Sequence, residues 1–278
     1  MLAEKYIPKG TNGYKNLSSF FKNFDKIFTL KPLRWFPLWT VLVAGNNITE
    51  HLNDRWFYWN WSSFNLYLLF LLVLIPYVDN RLKSRFDFAS QLSSITDYLK
   101  CVVYASIIMF LGSNPLSISL ATLIHSVPYV LFFLSGVLTW SINIDQENGE
   151  KFYKKDIYKL LIIVVALSLL ASFLGFSNDD PMISTVAAVY IPFPLVALVF
   201  PAAIRHLQRS RSYVVFIPAM FLSMRFPWFL FLLVPLFVLS RHYFYFTSGK
   251  IYPTFKVCLL YTSPSPRDRT RSRMPSSA

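Results

Sequence analysis

The sequence predicts an all-α, polytopic membrane protein with about eight transmembrane helices and both termini in the cytoplasm. Three observations support this fold class. The 278 residues are 54% hydrophobic and only 15% charged, whereas an ordinary soluble domain carries about 25% charged residues. Long apolar stretches recur along the chain, and a water-soluble fold of this length has no core large enough to bury them. Lys and Arg also concentrate on alternate loops, which is typical of membrane topology.

Apolar stretches bounded by charged or turn-forming residues give eight predicted membrane helices. Their approximate ranges are 35–48, 63–78, 98–112, 115–141, 157–176, 182–204, 213–224 and 226–246. Several are shorter than the roughly 20 residues that a full span needs. The seventh has the weakest signal, because Arg225 and Pro227 interrupt a stretch that a broken hairpin would also explain.

The distribution of positive charge tests this count of helices. Assigning the loops to alternate sides places 21 of the 23 Lys and Arg residues before position 258 on the side of the N-terminus. Only Arg55 and Arg225 fall on the other side. Cytoplasmic loops carry such an excess of Lys and Arg, so we expect both termini to lie in the cytoplasm. This arrangement requires an even number of spans, and the membrane is then expected to be the cytoplasmic (inner) membrane. The positive charge then reflects topology and contact with membrane lipids, and it does not indicate binding to nucleic acid.

Residues 31–257 are expected to form a single transmembrane domain, preceded by a basic segment over residues 1–30. Five apolar residues near the end of this segment follow helical spacing: Phe20, Phe21, Phe24, Ile27 and Phe28. This pattern predicts an amphipathic helix on the membrane surface. Residues 258–278 change abruptly to a composition rich in Arg, Pro and Ser, and they resemble translated sequencing-adapter sequence. We expect this tail to be an artefact and exclude it from fold reasoning.

Two charged loops on the predicted cytoplasmic side form the candidate binding site. The first carries Asp79, Asn80, Arg81 and Asp87, and the second carries Asp145, Glu147, Glu150 and Lys151. Oxygen ligands from carboxylates and phosphates suit Mg²⁺, while Lys and Arg neutralise phosphate groups. The residue types therefore favour a site for Mg²⁺ and a diphosphate. A solvated loop of mixed charge is the alternative interpretation.

The remaining ionisable residues give weaker signals. Four histidines are scattered, one inside an apolar stretch and three near helix ends: His125, His51, His206 and His242. No two of them have the spacing of metal ligands along the chain, so we expect them to have ordinary polar partners.

Asp179 and Asp180 lie in the sequence SNDDP and are expected to be turn formers. The basic residues Arg205, Arg209 and Arg211 are expected to serve topology or contact lipid headgroups.

The two loops and their flanks resemble the UbiA superfamily of intramembrane prenyltransferases. Residues 126–157 are similar to the helix that leads into the family's second acidic motif, with direct matches at Asp145 and Glu147. Residues 30–46 are similar to the family's opening helix. Residues 240–257 are similar to the Arg-aromatic, Gly and Tyr-Pro ending of some members. The resemblance covers about half of the chain.

The first acidic motif of the family is degraded in this chain. It should read Asn-Asp-x-x-Asp-x-x-x-Asp, whereas the corresponding segment reads YVDNRLKSRFD and has basic residues at acidic positions. In addition, only 58 positions separate Asp87 from Asp145, which leaves about two helices fewer than in family members.

The resemblance implies Mg²⁺-dependent transfer of a prenyl group from a prenyl diphosphate to a lipophilic acceptor, with metal ions stabilising the departing diphosphate. It implies that the Mg²⁺ ligands are Asp145, Glu147 and Glu150. The residues that it places at the substrate are Asp79, Asn80, Arg81, Asp87 and Lys151.

Two alternatives remain open on the sequence. The basic residues in the first motif favour a non-catalytic protein that binds an isoprenoid or quinone lipid, or that has a structural role. Prolines inside the later spans favour a transporter-like protein with broken helices. Against the transporter, few ionisable residues are predicted near the centre of any span.

Overall fold

The protein is described by a computed structural model over residues 2–25, 35–54, 59–82, 94–142, 155–200 and 204–249. All regular structure within these ranges is helical. The helices are α1 (Leu2–Tyr6), α2 (Asn12–Lys22), α3 (Trp35–Asn53), α4 (Leu66–Leu82), α5 (Ile95–Gly112), α6 (Leu120–Ser141), α7 (Lys155–Ser177), α8 (Pro181–Tyr190), α9 (Pro192–Val199), α10 (Ile204–Arg225) and α11 (Pro227–Ser248). A short 3₁₀ turn, Pro115–Ser117, precedes α6.

Five helical stretches are long and apolar enough to cross a membrane. They are Ile95–Gly112, Leu120–Ser141, Ile157–Ser177, Pro181–Val199 and Pro227–Ser248. Large apolar side chains on these stretches point away from the protein, as Val103, Ile107, Ile163 and Phe173 illustrate. In water such surfaces would be costly, whereas they match the hydrocarbon core of a bilayer. The predicted class, an all-α integral membrane protein, is therefore confirmed.

Helices also occupy the other three positions at which the sequence predicts spans. α3 carries polar residues such as Asn46 and Glu50 in its second half, α4 has 17 residues, and α10 begins with the basic sequence IRHLQRSR. Length and polarity therefore separate these three helices from the five apolar ones.

Several helix boundaries differ from the predicted ones, including those at α10, at the α8–α9 junction and at α3. α10 begins at Ile204 instead of residue 213, because Arg and Gln are good helix formers even where they are too polar to be read as a span. The predicted span 182–204 is divided at Ile191, since Pro192 has no amide hydrogen to continue the helical ladder. α3 continues to Asn53, beyond the predicted limit of 48, and this extension carries the buried polar side chain of His51.

Close packing of α3 against α5 depends on two glycines. A Cβ atom on Gly45 would overlap the carbonyl oxygen of Met109, and a Cβ atom on Gly112 would overlap that of Leu42. Small residues permit such close backbone approach between membrane helices. The most extensive contacts elsewhere join α6 to α7 and α7 to α8.

The N-terminal segment forms a helix that docks on the last helix of the bundle. In α2, the Phe21 ring stacks on Phe246 with a centroid distance of 5.4 Å, and the Tyr14 hydroxyl donates a hydrogen bond to the Tyr245 carbonyl oxygen. Phe20 remains 54% exposed. Part of the predicted amphipathic surface thus packs on protein. Ile27, Phe28 and residues 258–278 lie outside the described ranges.

Alternating helix directions give the bundle two ends. The end at which α4 and α6 finish and α5 and α7 begin is called the loop end, because both charged loops connect there. The opposite end holds His51, His125 and Asp180 and is called the histidine end.

Candidate functional site

Most of the residues that the sequence analysis selected for the candidate binding site lie outside the described ranges. These are Asp87, Asp145, Glu147, Glu150 and Lys151. The described ranges do include the helix ends from which both loops leave, and the predicted residues Asp79, Asn80 and Arg81.

Asp79 and Arg81 occupy different faces of the last turn of α4. The Asp79 side chain is only 2% exposed and continues the buried stripe formed by Leu68, Leu72 and Ile75. Arg81 is exposed, where its guanidinium donates a hydrogen bond of 3.2 Å to the Tyr77 hydroxyl. Asn80 is half-buried between them. The predicted first-loop residues therefore present a buried carboxylate and an exposed cation in succession.

A hydrogen bond joins the two helix ends next to the charged loops. The Tyr98 hydroxyl, in the first turn of α5, donates to Ser141 Oγ, in the last turn of α6, over 2.7 Å. Residues 83–93 lead into α5, and residues 143–154 follow α6. The first loop therefore ends close to the point where the second one begins.

Arg211 of α10 holds the same end of α6. Its Nε and Nη2 atoms donate hydrogen bonds to the carbonyl oxygens of Thr139 (3.3 Å) and Trp140 (3.1 Å). The last carbonyls of a helix have no partners within the helix and carry a partial negative charge. The prediction that Arg211 serves topology or lipid contact did not include this capping role.

The histidine end contains a compact group of metal-ligating side chains that sequence reasoning missed. His51, His125 and Asp180 each offer one ligand atom, and these atoms all lie within 4.8 Å of one another. The two imidazole ring centroids are 5.4 Å apart. Asp180 is 1% exposed and His51 is 4% exposed, while His125 is half-buried. Within the described ranges, this is the one group of three such residues.

Asp180 is positioned by the start of α8. Its Oδ1 atom caps the helix by accepting hydrogen bonds from the amides of Met182 (3.0 Å) and Ile183 (3.4 Å). The preceding residue, Asp179, has a positive φ of 56°, which Asp tolerates in turns. The predicted role of these residues in a turn is confirmed, and the turn places a buried carboxylate inside the bundle.

Two further polar groups continue from Asp180 into the protein. The Tyr129 hydroxyl donates a hydrogen bond of 2.8 Å to Asp180 Oδ2 and accepts one of 2.7 Å from Asn47 Nδ2. All three side chains are buried. The carboxylate is therefore oriented by contacts from α6 and α8, and the tyrosine is in turn fixed by α3.

Arg225 lies at the same end of the bundle and is 6% exposed. Its Nη2 atom donates a hydrogen bond of 3.1 Å to the Asp54 carbonyl oxygen, and its own carbonyl oxygen accepts a bond from the Asn60 amide. The Asn60 side chain donates to Glu50 Oε2 over 2.6 Å. These contacts close the histidine end between α3, the segment before α4, and the end of α10.

Sequence reasoning assesses His51, His125 and Asp180 one at a time, because they are far apart along the chain. It therefore did not identify them as one group. Asn47 and His51 are four residues apart on α3, and His125 and Tyr129 are four residues apart on α6. Residues at this spacing share one face of a helix. Two polar pairs, one at the end of the first predicted span and one inside the fourth, could have indicated a shared buried site near the turn at Asp180.

Two imidazole nitrogens and a carboxylate oxygen are ligands for divalent transition metals such as Zn²⁺. The loop end combines the buried carboxylate of Asp79 with the exposed guanidinium of Arg81 and the half-buried one of Arg211, and guanidinium groups suit an anionic ligand. The two ends of the bundle therefore have different chemistry. Comparisons with protein-family models, curated proteins and solved structures gave no match to this chain.

Proposed function

We propose that the protein is a UbiA-like integral membrane prenyltransferase that acts at the loop end of the bundle. It transfers a prenyl group from a prenyl diphosphate to a lipophilic acceptor in a reaction that requires Mg²⁺. The observation that carries this proposal is the Tyr98–Ser141 hydrogen bond, because it brings together the helix ends that border the two charged loops. A two-motif site of this kind needs both loops at one place.

The proposed ligand set follows from the chemistry of the loop residues. Asp145, Glu147 and Glu150 bind Mg²⁺, whose preferred ligands are oxygens. The substrate contacts come from both loops: Asp79, Asn80, Arg81, Asp87 and Lys151. The metal, when bound, stabilises the negative charge that develops on the departing diphosphate.

The burial of Asp79 supports a functional role for the end of α4. An ionisable side chain inside a membrane protein is costly, and such residues usually serve a site. Asp79 faces the interior directly before the first loop. Arg211 supports the same location, because it fixes the end of α6 from which the second loop begins.

In the proposed topology, eight helices span the cytoplasmic (inner) membrane. Both termini and the loop end lie on its cytoplasmic side. This topology is supported by the excess of Lys and Arg on the loops that connect at this end. The prenyl chain then stays within the bilayer while its diphosphate meets the aqueous side.

A second candidate is a non-catalytic protein that binds a lipid diphosphate without metal. The exposed guanidinium of Arg81 favours it, because this cation stands where the family motif carries acids. Lys and Arg bind phosphate groups directly.

Thermal stabilisation in detergent separates the two candidates. Geranylgeranyl diphosphate is added with and without Mg²⁺ to the wild type and to the variants Asp145→Asn and Glu147→Gln. A ligand that binds only the folded protein raises Tm by mass action. The prenyltransferase proposal expects stabilisation that depends on Mg²⁺ and that both substitutions abolish. Stabilisation without Mg²⁺ supports the second candidate, and the absence of stabilisation in folded protein contradicts both.

A further inference from the structure

We propose that His51, His125 and Asp180 form a binding site for a single divalent transition metal ion, with Zn²⁺ as the best match. The site lies at the histidine end of the bundle, opposite the loops of the proposed prenyl site. It is independent of that function, so either proposal can fail without the other.

The separations between the three ligand atoms are close to those in an occupied metal site. Zn²⁺ binds His nitrogen and carboxylate oxygen at roughly 2.1 Å, so ligands in a tetrahedral site are about 3.4 Å apart. The three ligand atoms here already lie within 4.8 Å of one another. A contraction of no more than about 1.4 Å between any two atoms, within reach of side-chain rotation, completes the set.

The three ligands come from separate helices that are held in place by packing. His51 is on α3, His125 is on α6, and Asp180 caps α8. α3 packs on α6, and α6 packs on α8, so the site joins elements that are already in contact. Metal binding would therefore cross-link the bundle at this end and stabilise it.

The carboxylate has the supporting contacts that metal ligands usually require. Asp180 accepts hydrogen bonds from the Tyr129 hydroxyl and from two amides of α8. Partners of this kind orient a ligand, and their loss typically weakens metal binding about 10- to 100-fold. A carboxylate has about four lone-pair sites, so these three hydrogen bonds leave room for a metal ion.

The burial of the group also favours a bound cation. A carboxylate that is 1% exposed inside a membrane protein must be compensated by positive charge or strong hydrogen bonds. The three hydrogen bonds to Asp180 supply part of that compensation, and a divalent ion held together with the two imidazoles would supply the positive charge. His125 is half-buried, which leaves a route for the ion to enter.

The ligand types select the metal class. A pair of histidines with one carboxylate suits Zn²⁺ and other borderline divalent metals, whereas Mg²⁺ and Ca²⁺ prefer all-oxygen sites. Three protein ligands leave a fourth position for water or another small ligand.

The test uses the full chain, purified in detergent with an affinity tag that contains no histidine. The protein is first treated with a chelator and then titrated with ZnCl₂, and the stoichiometry, Kd and Tm are measured. The site variants are His125→Gln and Asp180→Asn, and Asn still serves as an N-cap. The matched controls are His206→Gln, a half-buried histidine at the loop end, and Asp179→Asn, one residue before the proposed ligand.

The expected result is one Zn²⁺ per chain and an increase in Tm, with Kd weakened at least tenfold in both site variants and unchanged in both controls. X-ray absorption at the zinc edge of the wild type should show two imidazole ligands, and this readout does not depend on folding of the variants. Failure of the folded wild type to bind one equivalent would overturn the proposal. Equal loss of binding in the controls, or a ligand shell without imidazole, would overturn it as well.

Discussion

The Tyr129 hydroxyl bridges Asn47 and Asp180, and thereby links α3, α6 and the start of α8 through two hydrogen bonds of 2.7 and 2.8 Å. The three side chains are buried and come from distant parts of the sequence. This bridge connects the stability of the histidine end with the orientation of its carboxylate, so one substitution tests both.

Tyr129→Phe removes the hydroxyl and keeps the ring. We expect the free energy of unfolding to fall by about 1–3 kcal/mol, because a buried carboxylate and a buried amide each lose a partner. We also expect Zn²⁺ binding to weaken about tenfold or more. Unfolding by denaturant in detergent, followed by tryptophan fluorescence, measures the first effect, and zinc titration measures the second.

Tyr190→Phe is the matched control for this substitution. Tyr190 is also buried, and its hydroxyl shares a 3.0 Å hydrogen bond with Thr139 Oγ1, away from the histidine end. We expect it to reduce stability and to leave Kd for Zn²⁺ unchanged. Equal weakening of zinc binding in both variants would show that Tyr129 acts only through general stability.

Gly112→Ala tests the close contact of α3 with α5. The added Cβ would overlap the Leu42 carbonyl oxygen, and backbone cannot move aside as a flexible side chain can. We expect a loss of at least about 2 kcal/mol in the free energy of unfolding, although alanine is the better helix former. Gly13→Ala is the control, since its Cβ would meet only Ile7 Cγ2 at 3.5 Å. A stability of Gly112→Ala equal to that of the wild type contradicts the described packing.

Arg211→Ala tests the cap on the end of α6. The variant loses two hydrogen bonds from a guanidinium to backbone carbonyls, and we expect the free energy of unfolding to fall by about 1.5–3 kcal/mol. Arg209→Ala removes an exposed arginine two residues earlier and should change stability by less than about 0.5 kcal/mol. If the two variants unfold at the same denaturant concentration, the cap does not contribute to stability.

Single-cysteine labelling tests whether α3 spans the membrane. In a background without Cys101 and Cys258, Lys9→Cys and Ser62→Cys lie on exposed positions before and after α3. Because the loops alternate in positive charge, we expect a membrane-impermeant maleimide to label Ser62→Cys in intact cells and Lys9→Cys only after permeabilisation. Labelling of both from the same side would contradict eight spans.

Local sequence pattern determines much of the helical architecture. Apolar stretches predicted helices at all eight positions, and the capping role of Asp180 follows from its place directly before Pro181. Boundaries were less predictable where polar residues continue a helix, as in the basic start of α10. Hydropathy depends on the polarity of the side chains, whereas the extent of a helix depends on its backbone hydrogen bonds. A polar sequence can therefore extend a helix beyond its apolar stretch.

The sequence by itself determined that this chain is an α-helical membrane protein, because hydropathy and charge act on each segment separately along the chain. It also indicated an acidic and basic surface on the loops, whose central residues lie outside the described ranges. Only the tertiary structure decided that His51, His125 and Asp180 converge. They are separated by 74 and 55 positions, and their meeting depends on how α3, α6 and α8 pack. The close approach of Gly45 and Gly112 on neighbouring helices is set in the same way, by contacts that no local pattern specifies.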